Sequence, residues 1–448
     1  MRIRSYRLPE YAAQIAGLSL AFIATIATIT STASAQESGA PAPAMTPAPV
    51  PTPTPPAVPP PPPSMPPTAP ATVVVEPADA VTSPGPGPST EPGPSTERGM
   101  PIGPGTEPLA DGEKKKLSVE LHGGAYLWYY QPLEGPAKRD FSLYAAYLLF
   151  DAKYDDFGVL FQPRFRDTKL RPYYQSVFWV QEVYAYWKKD WATVKVGKVY
   201  TRLGKFWDNS FYGNVQYFDG LKLSPDYGIS FEASPLPKSG PFRLGAYAQY
   251  FVNDGVTNGS LLNRDTVSVP GARKRDELVG RIEPGYYLKD DTSVVLGLSG
   301  QYFDADLPAP YGGHNVYRFA ADLNVTIDGA LSVYGEYTRQ VGRSVTDYPI
   351  AGTAATATTP ATLGTASKHN EYVLAGAEYT CGRVTGRFNF SYVNYRDLFI
   401  RETMYQPGVV VKIHENVSLI TEYANWNRFN SGLSKLDHSL NFVLHAKF

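Results

Sequence analysis

One cysteine, Cys381, stands among 448 residues. A single thiol excludes an internal disulfide and a cysteine-built zinc cluster, and its place beside Gly382 reads as a tight turn. Long apolar runs are lacking too. Beyond the N-terminal region no stretch is apolar for the eighteen or more residues that a transmembrane helix requires. No excess of either charge sign exists: the formal net charge is −1, so no electrostatic argument favours nucleic acid as a partner. The six histidines are scattered, with no H-x-x-x-H pair and no G-x-S-x-G arrangement. Nothing therefore points to an enzyme, a metal site or a cofactor.

What is abundant is tyrosine, 32 residues against 21 Phe and 6 Trp. The other abundant residue is proline, and it is unevenly spread. The chain begins with Arg2, Arg4 and Arg7, an apolar run around Ile15–Ile29, and the small-residue site Ala33-Ser34-Ala35. That order is a secretory signal peptide, residues 1–35, with cleavage expected after Ala35. Of the 41 prolines, 25 fall between Gln36 and Ala110, where Gly87–Glu91 and Gly93–Glu97 repeat one another. Proline removes backbone donors and favours extended conformations, so residues 36–116 are expected to be a disordered linker.

From Leu117 the pattern changes to segments of period two. Leu440, Phe442, Leu444, Ala446 and Phe448 alternate with Ser439, Asn441, Val443, His445 and Lys447. One apolar and one mostly polar face on the same strand suits lipid outside and water inside. Phe442, Leu444, Ala446 and Phe448 also match the closing signature read by the barrel-assembly machinery of the bacterial outer membrane. Phe319–Ile327 and Val384–Tyr392 alternate in the same way. Aromatic residues near segment ends, at Trp128–Tyr130, Tyr184–Trp191 and Trp426, are expected to form interfacial girdles.

Short turns such as Asp155-Asp156 and Asp328-Gly329 alternate with longer links such as Asn253–Arg275 and Arg343–Lys368. In outer-membrane barrels the short side is periplasmic. If the chain enters and leaves on that side, the strand number is even, and Val215–Ser234 reads as one strand. The expectation is an all-β protein, an antiparallel up-and-down barrel over 117–448 with about sixteen strands, fourteen or eighteen being the alternatives.

Sixteen strands enclose an aqueous channel unless something fills it. The link after the fifth strand, Arg202 to about Asn214, offers Arg202, Lys205 and Asp208 as constriction residues. Alternation places Arg164, Arg166, Glu182, Lys195, Arg243, Arg281, Glu283, Arg318, Asp322, Glu336, Arg387, Lys412 and Glu422 on the pore lining. Residues 112–448 carry 37 basic against 34 acidic side chains, which argues against strong selectivity. The expected function is passive diffusion of ions and small hydrophilic solutes across the outer membrane. The alternative is a structural anchor whose Pro-rich arm, in the periplasm, contacts the cell wall.

The stretch Val194–Gly204 (VKVGKVYTRLG), followed by Tyr217–Leu223 (YFDGLKL), resembles the middle of sixteen-stranded porins of the phosphate-selective porin O and P superfamily. The resemblance covers the barrel and not the proline-rich arm. It implies a homotrimer in outer-membrane lipid. Phosphate selectivity does not carry over, because no regular ladder of arginines runs down one wall.

Overall fold

A computed structural model describes residues 117–134, 138–170, 177–205, 211–215, 225–236, 240–253, 273–289, 291–306, 313–343, 367–429 and 435–448. The signal peptide, the Pro-rich linker and Asp208 lie outside the described residues.

Among the described residues sixteen strands follow one another with almost no helix. The first five are β1 (Leu117–Pro132), β2 (Asp140–Tyr154), β3 (Phe157–Phe165), β4 (Phe178–Lys188) and β5 (Ala192–Val199). Then come β6 (Asp226–Ala233), β7 (Phe242–Asn253), β8 (Arg273–Lys289), β9 (Thr292–Asp306), β10 (Gly313–Ile327) and β11 (Leu331–Val341). The last are β12 (His369–Cys381), β13 (Val384–Tyr395), β14 (Ile400–His414), β15 (Val417–Phe429) and β16 (Lys435–Lys447). Each pairs antiparallel with its sequence neighbours, and β1 pairs with β16, so the barrel is closed. Closure removes every sheet edge, which is the condition for a sheet to sit in a membrane.

The alternation expected from sequence is the one observed. Along β16, Asp437, Ser439, Asn441, Val443 and His445 are buried, whereas Leu444 is exposed. On β10, Arg318, Ala320 and Asp322 are buried, and Phe319 between them is 62% exposed. A soluble protein would reverse this arrangement, with charge out and phenylalanine in. The turns at one end are tight. Ile327 pairs with Leu331 across Asp328-Gly329, whose φ values of 48° and 61° are left-handed, a conformation that aspartate and glycine tolerate best.

Among its described residues Val215–Ser234 holds one strand, as the even count requires, but a shorter one: β6 is Asp226–Ala233, and the Val215 N–H is bonded to the Ser391 hydroxyl inside the barrel, 3.0 Å away. One expectation is corrected. Trp128, Tyr130 and Trp426 do not stand at the membrane interface. They point inward and are buried, with Trp128 donating to Asn441 at 3.0 Å, Tyr130 to Asp437 at 2.7 Å and Trp426 to Glu402 at 3.1 Å. A buried indole N–H or phenol O–H needs a hydrogen-bond partner, and these inward acceptors supply it. Outward aromatics at the short-turn end are the expected Trp191, together with Tyr154, Phe157, Phe242 and Tyr379.

Phe448 closes the seam. Its N–H and C=O exchange hydrogen bonds of 3.0 and 3.1 Å with Gly123 of β1, and its ring lies over that glycine. Deleting Phe448 removes both bonds at the closing pair. The folded fraction recovered from refolding, read as the heat-modifiable band on a gel, is expected to fall severalfold. An unchanged yield would mean that the seam closes without this residue.

Candidate functional site

The segment between β5 and β6 enters the barrel, and its described parts, 201–205 and 211–215, are tied to inward side chains of distant strands. The Arg202 N–H donates to Gln249 on β7 at 2.7 Å, and the Gly204 N–H to Ser299 on β9 at 3.4 Å. The Lys205 N–H bonds the Glu336 carboxylate on β11. Farther along, the N–H groups of Phe211 and Tyr212 both donate to Glu422 on β15, at 3.2 and 2.8 Å, and the Tyr212 hydroxyl bonds Asp437 on β16. A chain crossing the interior has no ladder of its own, so its backbone groups need such acceptors. Gly204 is required here: its φ is +56°, and a Cβ would collide with the Glu336 carboxylate.

This segment divides the interior chemically. On one side Leu203, Phe211, Tyr212 and Val215, all 0% exposed, pack into an apolar cluster with Trp128, Tyr144, Trp179 and residues of β11–β16. Phe211 meets the Tyr144 ring at 5.1 Å. Arg166 is buried there too, its guanidinium 3.9 Å from the Trp179 ring centre, and Arg164 lies over Tyr147 at 5.5 Å. The apolar cluster fills its part of the lumen.

The other side is ionic and wetter. Lys195 on β5 pairs with Glu232 on β6 at 2.7 Å, and Arg202 approaches the same carboxylate at 3.8 Å. Tyr247 on β7 donates to Glu283 on β8 at 2.9 Å. Arg243 stacks on Tyr287, 4.0 Å from the ring centre. The Arg202 side chain keeps 43% of its surface exposed, and Glu283 keeps 27%. Both signs of charge therefore face one water-accessible space across short distances.

Behind this patch the wall is sealed. Arg281 on β8 and Asp322 on β10, with side chains 4% and 0% exposed, form a pair at 2.6 Å, which Ser299 and Glu283 complete. Arg318 is buried with Gln340 and Gln301, and Glu336 and Glu422 are buried under the segment they hold. Among the remaining residues expected on the lining, Glu182 is half-buried, Arg387 lies 3.9 Å from Glu378, and Lys412 is exposed near the short-turn end. Sequence reasoning missed Glu232, although its alternation with the outward Ile229 and Phe231 on β6 was a signal that could have found it. It also missed the neutral anchors Gln249, Ser299 and Ser391, for which no local pattern exists.

No protein-family profile matches this chain, and no curated relative matches it. Solved structures do. OmpF of Salmonella typhi, in a complex with daunomycin, is 12% identical with a TM-score of 0.52, covering 74% of this chain and 97% of that one. The outer membrane channel DcaP of Acinetobacter baumannii is 11% identical with a TM-score of 0.50, over 74% and 97% of the two chains. The chain has the sixteen-stranded porin fold. At such identity what is common is the barrel itself, and the residues inside it have to be argued on their own chemistry.

Proposed function

We propose that this barrel is an outer-membrane porin, through which ions and small hydrophilic solutes diffuse beside the inserted segment. The observation that carries this reading is the partly exposed ionic patch of Lys195, Glu232 and Glu283 with Arg202 of the inserted segment, whose apolar residues pack into the cluster on its other side. An interior meant only as a plug gains nothing from water-accessible charge, whereas a pore uses it to keep solutes hydrated and to set ion preference. Arg202 and Lys205 then act at the constriction, together with Asp208.

In this reading residues 1–35 are removed on export and 36–116 remain in the periplasm, where the Pro-rich arm can reach the cell wall. Phe442, Leu444, Ala446 and Phe448 serve the barrel-assembly machinery, and the likeness to porins supports a homotrimer in outer-membrane lipid. The resemblance at Val194–Gly204 and Tyr217–Leu223 supports the phosphate-selective porin O and P superfamily as the lineage, without its selectivity.

Charge at a narrow passage is read directly by the reversal potential in a salt gradient. Replacing Arg202 and Lys205 together with alanine removes two positive charges from this space, and anion permeability relative to cations is expected to fall severalfold. An unchanged reversal potential would remove these two residues from the conduction path.

A further inference from the structure

The outward face of β11–β14 departs from the rule that lipid-facing positions are apolar. Near the short-turn end it is Leu331, Val333, Ala377, Tyr379, Val384, Phe388 and Val409. Toward the long-connection end come Tyr337, Tyr392 and Tyr405, and then one hydrogen-bonded row of paired residues: Arg339 on β11, Glu371 on β12, Asn394 on β13 and Arg401 on β14. Arg339 shares its face with exposed Phe319, its partner on β10, and Arg401 with exposed Phe429 on β15. Charge on a lipid-facing strand position is costly at depth and tolerated only near an interface. Phe399, 78% exposed just beyond the row, is an apolar anchor of the kind that marks such an interface.

The acids nearby are already occupied. Glu371 is held by Arg396 at 2.7 Å, by the Tyr337 hydroxyl at 3.1 Å and by Asn394 at 3.4 Å. Asp397, outside the strands, accepts from His369 at 2.9 Å and from the Lys368 N–H. Burial would raise its pKa, but these bonds prevail and hold the carboxyl below its usual range. Arg339 and Arg401 are exposed and have no ion-pair partner among the described residues. They are three strand spacings apart, ~14 Å.

We propose that this row binds the phosphorylated headgroup of an outer-leaflet lipid, with Arg339 and Arg401 contacting phosphates and the pinned Arg396 lying between them. The inference rests on the outer-membrane reading above. Guanidinium groups suit phosphate because their planar fork gives two parallel charge-assisted bonds. The tyrosines beneath the row fit the boundary between headgroup and acyl chain.

Native mass spectrometry of the folded full chain in detergent tests this, with diphosphorylated lipid A as probe. The wild-type chain is expected to retain the lipid. Arg339→Gln with Arg401→Gln should weaken retention about thirtyfold, taking about 1 kcal/mol for each arginine at an anionic surface. Arg339→Lys with Arg401→Lys, which keeps both charges but not the fork, should restore only part of it. Equal retention by the Gln variant, equal retention of the phosphate-free lipid, or displacement by matched inorganic phosphate would overturn the proposal. So would a changed oligomeric mass with unchanged lipid retention, which would place a second copy on this face. Channel conductance of the same samples judges the porin reading separately, since neither arginine faces the lumen.

Discussion

In a barrel that conducts as proposed above, replacing Glu422 with alanine is expected to enlarge the channel and make its open current noisy. Glu422 is 1% exposed and accepts the N–H groups of Phe211 and Tyr212, with Gln406 3.4 Å away as a third donor. Hydrogen bonds to a charged acceptor are worth roughly 1.5–3 kcal/mol each, so the docked state of the segment loses about 3–6 kcal/mol. Loss on that scale is enough to turn a fixed constriction into one that leaves the wall for part of the time. Glu422→Gln keeps one acceptor oxygen and should be intermediate. Single-channel recording decides the matter: the alanine variant should show larger mean conductance and more open-state noise than wild type. A trace indistinguishable from wild type would mean that the aromatic cluster around Phe211 holds the segment unaided.

Asp322→Ala is expected to cause the largest loss of barrel stability. It leaves Arg281, whose side chain is 4% exposed, without the carboxylate 2.6 Å away. An uncompensated buried charge costs roughly 3–5 kcal/mol. Glu283 and Ser299 still hold the guanidinium at 2.6 Å each, which keeps the effect near the lower figure, about 3 kcal/mol. The temperature at which the folded, fast-migrating form converts to the unfolded form on a gel should drop by on the order of 10 °C. Removing both ends, as Arg281→Met with Asp322→Ala, should recover much of that drop, because no charge is then stranded. If the double variant is as unstable as the single one, the pair is not the reason.

Much of this architecture was readable in the chain because period-two alternation is local. Leu440–Phe448 and Phe319–Ile327 declared both their strand and their two faces, and tight turns such as Asp328-Gly329 set the register. The failures share a cause. Trp128 and Trp426 look like interface anchors until Phe211 and Glu402 are brought beside them, the first from the distant segment after β5 and the second from the neighbouring strand β14. Arg281 and Asp322 could each be assigned inward, but their pairing depends on two successive registers, β8 with β9 and β9 with β10. The segment after β5 was expected to matter for its charges, Arg202 and Lys205. Its apolar residues Leu203, Phe211 and Val215 seat it together with the acceptors of its N–H groups, and both roles follow from a cavity that no single strand encodes. The outward row of Arg339 and Arg401 was equally hidden, since each arginine alone resembles an ordinary end-of-strand charge.

The central claim is that the space beside the inserted segment conducts. Purified, folded barrel added to a planar bilayer tests it most directly. The account predicts stable current steps on the order of a nanosiemens in concentrated salt, as expected of a water-filled sixteen-stranded barrel. Correctly folded barrel that inserts and passes no current would contradict it, and the interior would then be a plug.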